Sequence, residues 1–488
     1  MKSIWIGSNK EMALPKLNKN IKCDILIVGG GIAGLSCAYH LKDSGKSIVL
    51  IDKSICGLGA TSYNTGKLTW MQDLIYHKIE KNYDTKTALL YLDSQREAID
   101  IVNNIVKENN ISCDLSKTKA YVFTDNENNF KNFDNEIMFY KENNIKYKVT
   151  DKLPIEYSSK LVLETDNSFV FNPYKYLSSI RKILMDKMDI YENTRCVSID
   201  MGSNSYNVKT IDDHIIESKV VIVASHYPMF IVPYFIPFKT EVHKFFLVGS
   251  KVDKSKNIQI LSNDKSSVSM RYYNDKGNNY FIYGRNSHSS SKHLDVRDDY
   301  LEITEEYKKN FNLEAEYFFH THDLMTYDNM PLIGEIKPNL YIATGFNKWG
   351  NTNGTISGKV ISDLILKKDS KYVELFNPKR GLSFDKIKNI TLFNFNVGTR
   401  YIRNKINSNM SYYDDKVIIK NINGKRCGIY IDEKNNKHIV LNTCPHMKCN
   451  LVFNYIDKTW DCPCHASRFD INGNLIYGPS VYDIKIKD

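Results

Sequence analysis

Four cysteines and two histidines near the C-terminus carry the densest chemistry in the chain. Cys444-Pro445-His446-Met447-Lys448-Cys449 is followed by Cys462-Pro463-Cys464-His465, with fifteen residues between His446 and Cys462. Thiolates and imidazoles at such spacing are metal ligands. A Cys2His2 set suits zinc, and two cysteines with two histidines also suit an iron–sulfur centre. Near the other end, Gly29-Gly30-Gly31-Ile32-Ala33-Gly34 fits G-x-G-x-x-G. The chemistry there is dinucleotide binding. Gly29 permits a tight turn, Gly31 lets the backbone approach a pyrophosphate, and Gly34 lets helix and strand pack closely. Asp52 follows at the end of the next strand, where a carboxylate accepts hydrogen bonds from a ribose. The turn alone does not separate NAD from FAD.

These residues need elements to hold them. Asp24 to Asp52 reads as strand, glycine turn, helix and strand. Asp24-Ile25-Leu26-Ile27-Val28 is a short apolar run of the kind a buried parallel strand requires, Ile32 to Leu41 has helical spacing, and Lys46 to Ile51 returns as a strand. Leu68 to Asn109 reads as helical, and Asn110 to about Ser218 as mixed. Lys219 to Ala224 is a second buried strand. Tyr234 to about Glu316 alternates as β-structure and is expected to form a cavity wall. Leu340 to Thr344 is a strand feeding the turn Gly345–Gly354 and a helix through Leu366. Lys416 onward reads as short strands between turns. The expected organisation is residues 1–375, with a substrate subdomain at about 70–200 and 230–320, then a connector at 376–410, then 411–488.

Composition narrows the function classes. The 488 residues are 42% hydrophobic and 25% charged, ordinary for a globular chain of several domains. The net charge of +10 comes from scattered lysines without an arginine-rich run, which argues against nucleic acid. No apolar stretch has the length of a membrane span, and Met1 to Asn20 lacks the apolar core of a signal peptide. A cytoplasmic protein is expected, in which clustered cysteines indicate metal or redox chemistry.

Three segments together resemble the D-amino-acid oxidase-like flavoprotein family, which includes glycine and sarcosine oxidases, over about residues 23–368. They are the glycine turn with Asp52 and the small-residue loop Gly57–Lys67, the stretch Thr326–Gly334, and the late turn Gly345–Gly354. The resemblance implies non-covalent FAD. The first turn would bind the diphosphate, Asp52 the adenosine ribose, and the late turn would border the flavin ring. It gives FAD-binding roles to Gly29, Gly31, Gly34, Asp52, Thr61, Lys67, Ala224, Gly345, Thr352 and Asn353. Cys56 is the nearest thiol for a covalent link and reads instead as a structural loop residue. The family implies oxidation of C–N bonds by hydride transfer. Arg271, Arg285 and His226 are candidates for the substrate cavity, an arginine because it can clamp a carboxylate.

The C-terminal motif, each pair carrying an extra cysteine, resembles Rieske proteins of the respiratory kind over Lys416–Asp488. That resemblance implies a [2Fe–2S] cluster on Cys444, His446, Cys462 and His465, and a disulfide between Cys449 and Cys464. Gly478-Pro479-Ser480 resembles the third cluster loop. Two positions depart from the pattern: Ala466 replaces a glycine, and Phe469 replaces a tyrosine whose hydroxyl bonds a cluster sulfur, while Ser467 is kept. Hydrogen bonds to cluster sulfurs raise the potential. A redox titration is therefore expected to give a potential below that of respiratory quinol-oxidising centres; an equal value would count against this reading.

The expected fold is α/β: a Rossmann-like FAD domain with an inserted α+β substrate domain, followed by a small all-β Rieske domain. The order resembles a bacterial group of Rieske-containing FAD-dependent oxidoreductases. The expected activity is oxidation of an amine or amino acid at FAD, with single electrons passing through the cluster to an external acceptor. The alternatives are an electron-transfer or redox-sensing protein without its own substrate, and a reductase running in reverse.

Overall fold

The computed structural model describes residues 3–7, 11–227, 239–289, 296–381 and 416–486. The expected connector lies mostly outside the described residues, as does the start of the β-rich span at Tyr234. The first layer opens with β1 (Ile21–Val28), α1 (Ile32–Leu41) and β2 (Ile48–Ile51). Ile25–Val28 and the whole of β2 are buried, as strands covered on both faces must be.

β1 pairs in parallel with β2 and with Ile215–Val223, which pairs in parallel with Leu340–Thr344. Leu332–Lys337 closes one edge antiparallel, and Asp189–Tyr191 forms the other edge. Tyr206–Thr210 and then Cys196–Met201 add alongside Ile215–Val223. In this register Val28 lies opposite both Ile51 and Val223, and Val223 opposite Ile342. Parallel pairing therefore brings Gly29, Asp52, Ala224 and Gly345 to the same end of the sheet. The carboxyl end of a parallel sheet is where such folds bind ligands. α1 packs beneath against the helix Gly350–Ile365, so closely that a Cβ on Gly358 would sit 2.1 Å from Ser36 Oγ.

The second layer is a nine-stranded sheet in which Tyr317–Thr326, Thr240–Val252 and Asn278–Ser289 run side by side. Phe246, Phe281 and Tyr283 from this sheet pack on Tyr300, Ile303 and Tyr307 of the helix Arg297–Phe311. That helix interrupts the span expected to be β-rich, and its apolar residues recur at the period of a helix rather than of a strand. The region expected to be helical from Leu68 begins with the strand Lys67–Leu68, and its helices are Tyr76–Asn82 and Thr85–Glu108, the latter capped by Asp84 accepting from Thr87 N–H.

The C-terminal part is two small antiparallel sheets. One contains Val417–Ile422, Lys425–Ile431 and Lys437–Leu441; the other contains Val452–Asn454, Thr459–Asp461, Arg468–Asp470 and Leu475–Tyr477. Trp460, Phe453 and Phe469 form its core together with Cys444, Cys449, Cys462 and Cys464. Among the described residues, no helix is long and apolar enough to cross a membrane.

Candidate active site and metal centre

The turn after β1 is built for close approach. Gly29 has φ +109°, and its N–H donates to Ile51 O at 2.8 Å. A Cβ on Gly34 would lie 1.8 Å from Gly29 O, so the helix can seat against the turn only with glycine there. A Cβ on Gly31 would meet nothing nearer than Thr61 Oγ1 at 3.8 Å. Gly31 therefore borders open space, at the N-terminus of a ten-residue helix whose first amides have no side-chain cap. Unpaired N–H groups at such a terminus favour phosphate oxygens.

Asp52 holds the turn from the side. It accepts Gly30 N–H and Ser54 N–H, each at 2.7 Å. Burial raises its pKa, and the two N–H groups partly oppose that. Oδ1 also accepts the Ser54 hydroxyl at 3.2 Å, so Oδ2, which accepts only Gly30 N–H, keeps a second lone pair for a ribose hydroxyl.

A cavity of about 500 Å³ runs from this turn along the sheet end. Gly29, Gly31, Asp52, Thr61, Lys67, Ala224, Gly345 and Thr352 line it, as does His226. Gly34 and Asn353 do not. Gly34 seats α1, and Asn353 joins a buried amide chain in which it accepts from Gln95, while Gln72 donates to both Gln95 and Thr352. Lys67 is buried, with its ammonium on Ile260 O and Ser269 Oγ. Burial, then the nearby Arg271, drive its pKa well down. Cys56 does not line the cavity; its N–H donates to Glu192, and burial raises its thiol pKa.

Two substrate candidates are corrected. Arg271 is 1% exposed and does not line the cavity. Its guanidinium donates to the carbonyls of Thr65, Gly66, Phe171 and Tyr272, closing the turn at Gly66, where φ is +63°. Arg285 is ion-paired with Glu302 and Glu306 away from the cavity. His226 does line it, with φ +67°, and burial lowers its pKa to about 4. The sequence reading missed Asp323, whose carboxyl burial pushes up to about 6, and Lys348, which interacts with it electrostatically.

The cluster residues sit on two matched loops. Cys444 N–H donates to Cys449 O at 2.8 Å, and Cys462 N–H to Ser467 O at 2.7 Å. The fourth residue after each leading cysteine, Lys448 and Ala466, is left-handed, with φ +59° and +63°. A glycine at the second position would adopt that conformation freely. Ala466 instead packs its methyl with Tyr227, Val242 and Leu324 of the flavin domain, an apolar contact glycine lacks.

Cys449 and Cys464 form a disulfide. The sulfurs of Cys449, Cys462 and Cys464 lie within 4.8 Å of one another, but the disulfide removes two of them and leaves Cys462 beside Cys444. The rings of His446 and His465 stand 5.0 Å apart at 89°. His465 Nδ1 is buried without a partner, and burial holds His465 neutral down to about pH 4, the form that ligates a metal. Two adjoining thiols, two facing imidazoles and one orphaned ring nitrogen fit a Cys2His2-ligated [2Fe–2S] group. Ser467 accepts Ser480 N–H at 2.9 Å and lies in hydrogen-bonding reach of the Cys444 sulfur. Phe469 is fully buried and brings no hydroxyl.

The two sites meet. Leu475, Ile476, Tyr477, Gly478, Ser480 and Val481 line the same cavity as Gly29 and Asp52. Arg468, also cavity-lining, reaches His320 Nε2 at 2.7 Å.

Comparison with known proteins agrees with this geometry. Residues 24–364 match the FAD dependent oxidoreductase family, and residues 406–486 match the Rieske [2Fe-2S] domain. The chain therefore belongs to the FAD-dependent oxidoreductase family and carries a C-terminal Rieske domain; its cofactors are FAD and a [2Fe–2S] cluster. It is 31% identical to the Rieske 2Fe-2S iron-sulfur protein YhfW of Bacillus subtilis, over 99% of this chain and 96% of that one. It is 21% identical to gamma-glutamylputrescine oxidoreductase of Escherichia coli, over 76% of this chain and 89% of that one. Glycine oxidase from Geobacillus kaustophilus shares the fold of the first part, with a TM-score of 0.61 at 15% identity, covering 74% of this chain and all of that one.

Proposed function

We propose that the protein oxidises an amine or amino acid at FAD and sends the electrons singly through the cluster to an external acceptor. The observation that carries this is the shared cavity, lined both by the dinucleotide turn and by the loop that covers the cluster. When bound, FAD takes a hydride from a C–N carbon and gives electrons up one at a time, and the cluster carries one.

The chain's own residues divide the remaining work. Cys444, His446, Cys462 and His465 hold the cluster. Gly29, Gly31, Asp52, Thr61, Lys67, Ala224, Gly345 and Thr352 contact FAD, with Gly34 and Asn353 supporting them from behind. Asp323, whose carboxyl burial pushes up to about 6, and Lys348, whose ammonium burial pushes down, are a titratable pair on the cavity wall that feel each other's charge. Relatives named for gamma-glutamylputrescine and for glycine support an amine or amino acid.

The test is an anaerobic visible and EPR spectrum before and after adding a panel of amines and amino acids. Bleaching of the flavin bands with appearance of a reduced Rieske signal is the expected result for at least one compound. If both cofactors are present and no compound reduces them, the oxidase reading fails and the electron-transfer and reductase readings move ahead of it.

A further inference from the structure

We propose that the Rieske domain is a wall of the flavin site, so that FAD is held between both domains and the docked position of the cluster depends on FAD. This rests on the cofactor assignment and not on the identity of the substrate.

The wall is the segment from Leu475 to Val481. Tyr477 is its centre. Its ring stacks on His322 of the flavin domain with centroids 4.4 Å apart and planes 20° apart, and meets His226 edge-on at 5.6 Å. All three residues line the cavity. Tyr477 Oη, His226 Nε2 and His322 Nε2 are buried with no hydrogen-bond partner in the protein. Buried polar groups rarely stay unsatisfied in a finished site, and three together mark a place completed by a ligand.

The segment is fixed to the flavin domain on both sides of Tyr477. Lys53, the residue after Asp52, donates to Ile476 O at 2.6 Å. Arg195 pairs with Asp483 at 2.7 Å and donates to Val481 O at 3.3 Å. Asp483 in turn accepts Leu475 N–H at 2.9 Å, which ties the two ends of the segment together. Ser480, in the same segment, donates its N–H to Ser467 beside the cluster cysteines. One short loop thus closes the flavin cavity and covers the metal centre. A ligand that contacts both domains must stabilise their docking by as much as the docking strengthens its binding.

The test uses full-length protein freed of FAD and re-titrated, with flavin fluorescence quenching as the affinity readout. Tyr477→Ala is expected to weaken FAD binding by about tenfold or more, as loss of a buried aromatic contact does, while the reduced-cluster EPR signal stays that of wild type. Tyr477→Phe, which keeps the ring and loses only the hydroxyl's bond to the ligand, should show an intermediate loss. Asp483→Asn lies outside the cavity and should also weaken FAD, because it frees the segment. Hydrogen exchange of 475–481 should slow when FAD is added to wild-type apoprotein. Wild-type uptake of FAD with unchanged affinity in Tyr477→Ala and unchanged exchange would overturn this inference alone. Failure of wild type itself to take up FAD would overturn the cofactor assignment and this inference with it.

Discussion

Cys444→Ser is expected to lose the whole reduced-cluster EPR signal and the bound iron while keeping FAD. Cys444 and Cys462 are the only cysteines of the C-terminal loops left as thiols once Cys449 and Cys464 are joined. A serine oxygen is a much poorer ligand than a thiolate for iron in a sulfide cluster. The domain should survive the loss. Cys444 is one member of its core, and Trp460, Phe453, Leu451, Phe469 and the disulfide bridging the two loops remain when its sulfur is replaced by an oxygen. The loop that walls the flavin cavity is held by Lys53, Arg195 and Asp483, none of which touches the cluster residues. Substrate should therefore still bleach the flavin of the variant in a single turnover. Repeated turnover with a one-electron acceptor should fall to background. Tyr477→Ala gives the opposite pattern, cluster kept and flavin weakened, so the pair separates the two sites. Retention of the Rieske signal in Cys444→Ser would remove Cys444 from the ligand set.

The parts of this architecture that were legible in the sequence are those encoded within a few residues. Ile25–Val28 is a continuous apolar run closed by glycine, and such a run reads as a buried parallel strand wherever it occurs. The cysteine and histidine spacing is likewise local, and both matched loops follow from it. The helix Arg297–Phe311 was missed although Tyr300, Ile303 and Tyr307 carry its period, because the alternation of the flanking strands was extended across it. Arg271 misled for a different reason. An arginine on a strand beside a predicted cavity looks available, and only the fold shows that the carbonyls at Gly66 and Phe171 consume its donors. The contacts between domains could not be read at all. Arg468 and His320 are 148 residues apart, and no period or motif links them. Tyr477, three residues before Ser480 in the third cluster loop, carries no mark in the sequence of its role as a cavity wall.

The second large effect is expected at that boundary: Arg468→Met should cost about 3–5 kcal/mol of stability at neutral pH, the usual loss when one partner of a buried ion pair is removed. Arg468 is 2% exposed on its side chain and is held by Asp457 at 2.7 Å and Asp461 at 3.1 Å, themselves 3% and 8% exposed. Its remaining contacts are His320 of the flavin domain and Thr459 Oγ1. Without the guanidinium, Asn454 stays 3.2 Å from each carboxylate, Thr459 Oγ1 donates to Asp461 at 2.8 Å, neutral His320 lies 3.5 Å from Asp457, and the nearest cation, Lys244, is 3.9 Å from Asp461. That is too little for two buried negative charges. Arg468→Lys should recover only part of the loss, since an ammonium cannot reproduce the planar fork. The pH dependence distinguishes charge from packing. Burial pushes the Asp461 pKa up, but Arg468 and then Lys244 more than offset this, and it sits below its ordinary value. In wild type this pairing therefore contributes stability at neutral pH that is lost as pH falls through the depressed folded pKa. In Arg468→Met, burial is no longer offset by the guanidinium, so the Asp461 pKa rises above its unfolded value and acidification relieves the penalty. The stability gap between the two proteins, measured by urea unfolding, should narrow between pH 7 and pH 5. A gap of the same size at both values would mean that Arg468 acts through the volume it fills, and that the charges of Asp457 and Asp461 are met by groups other than the guanidinium.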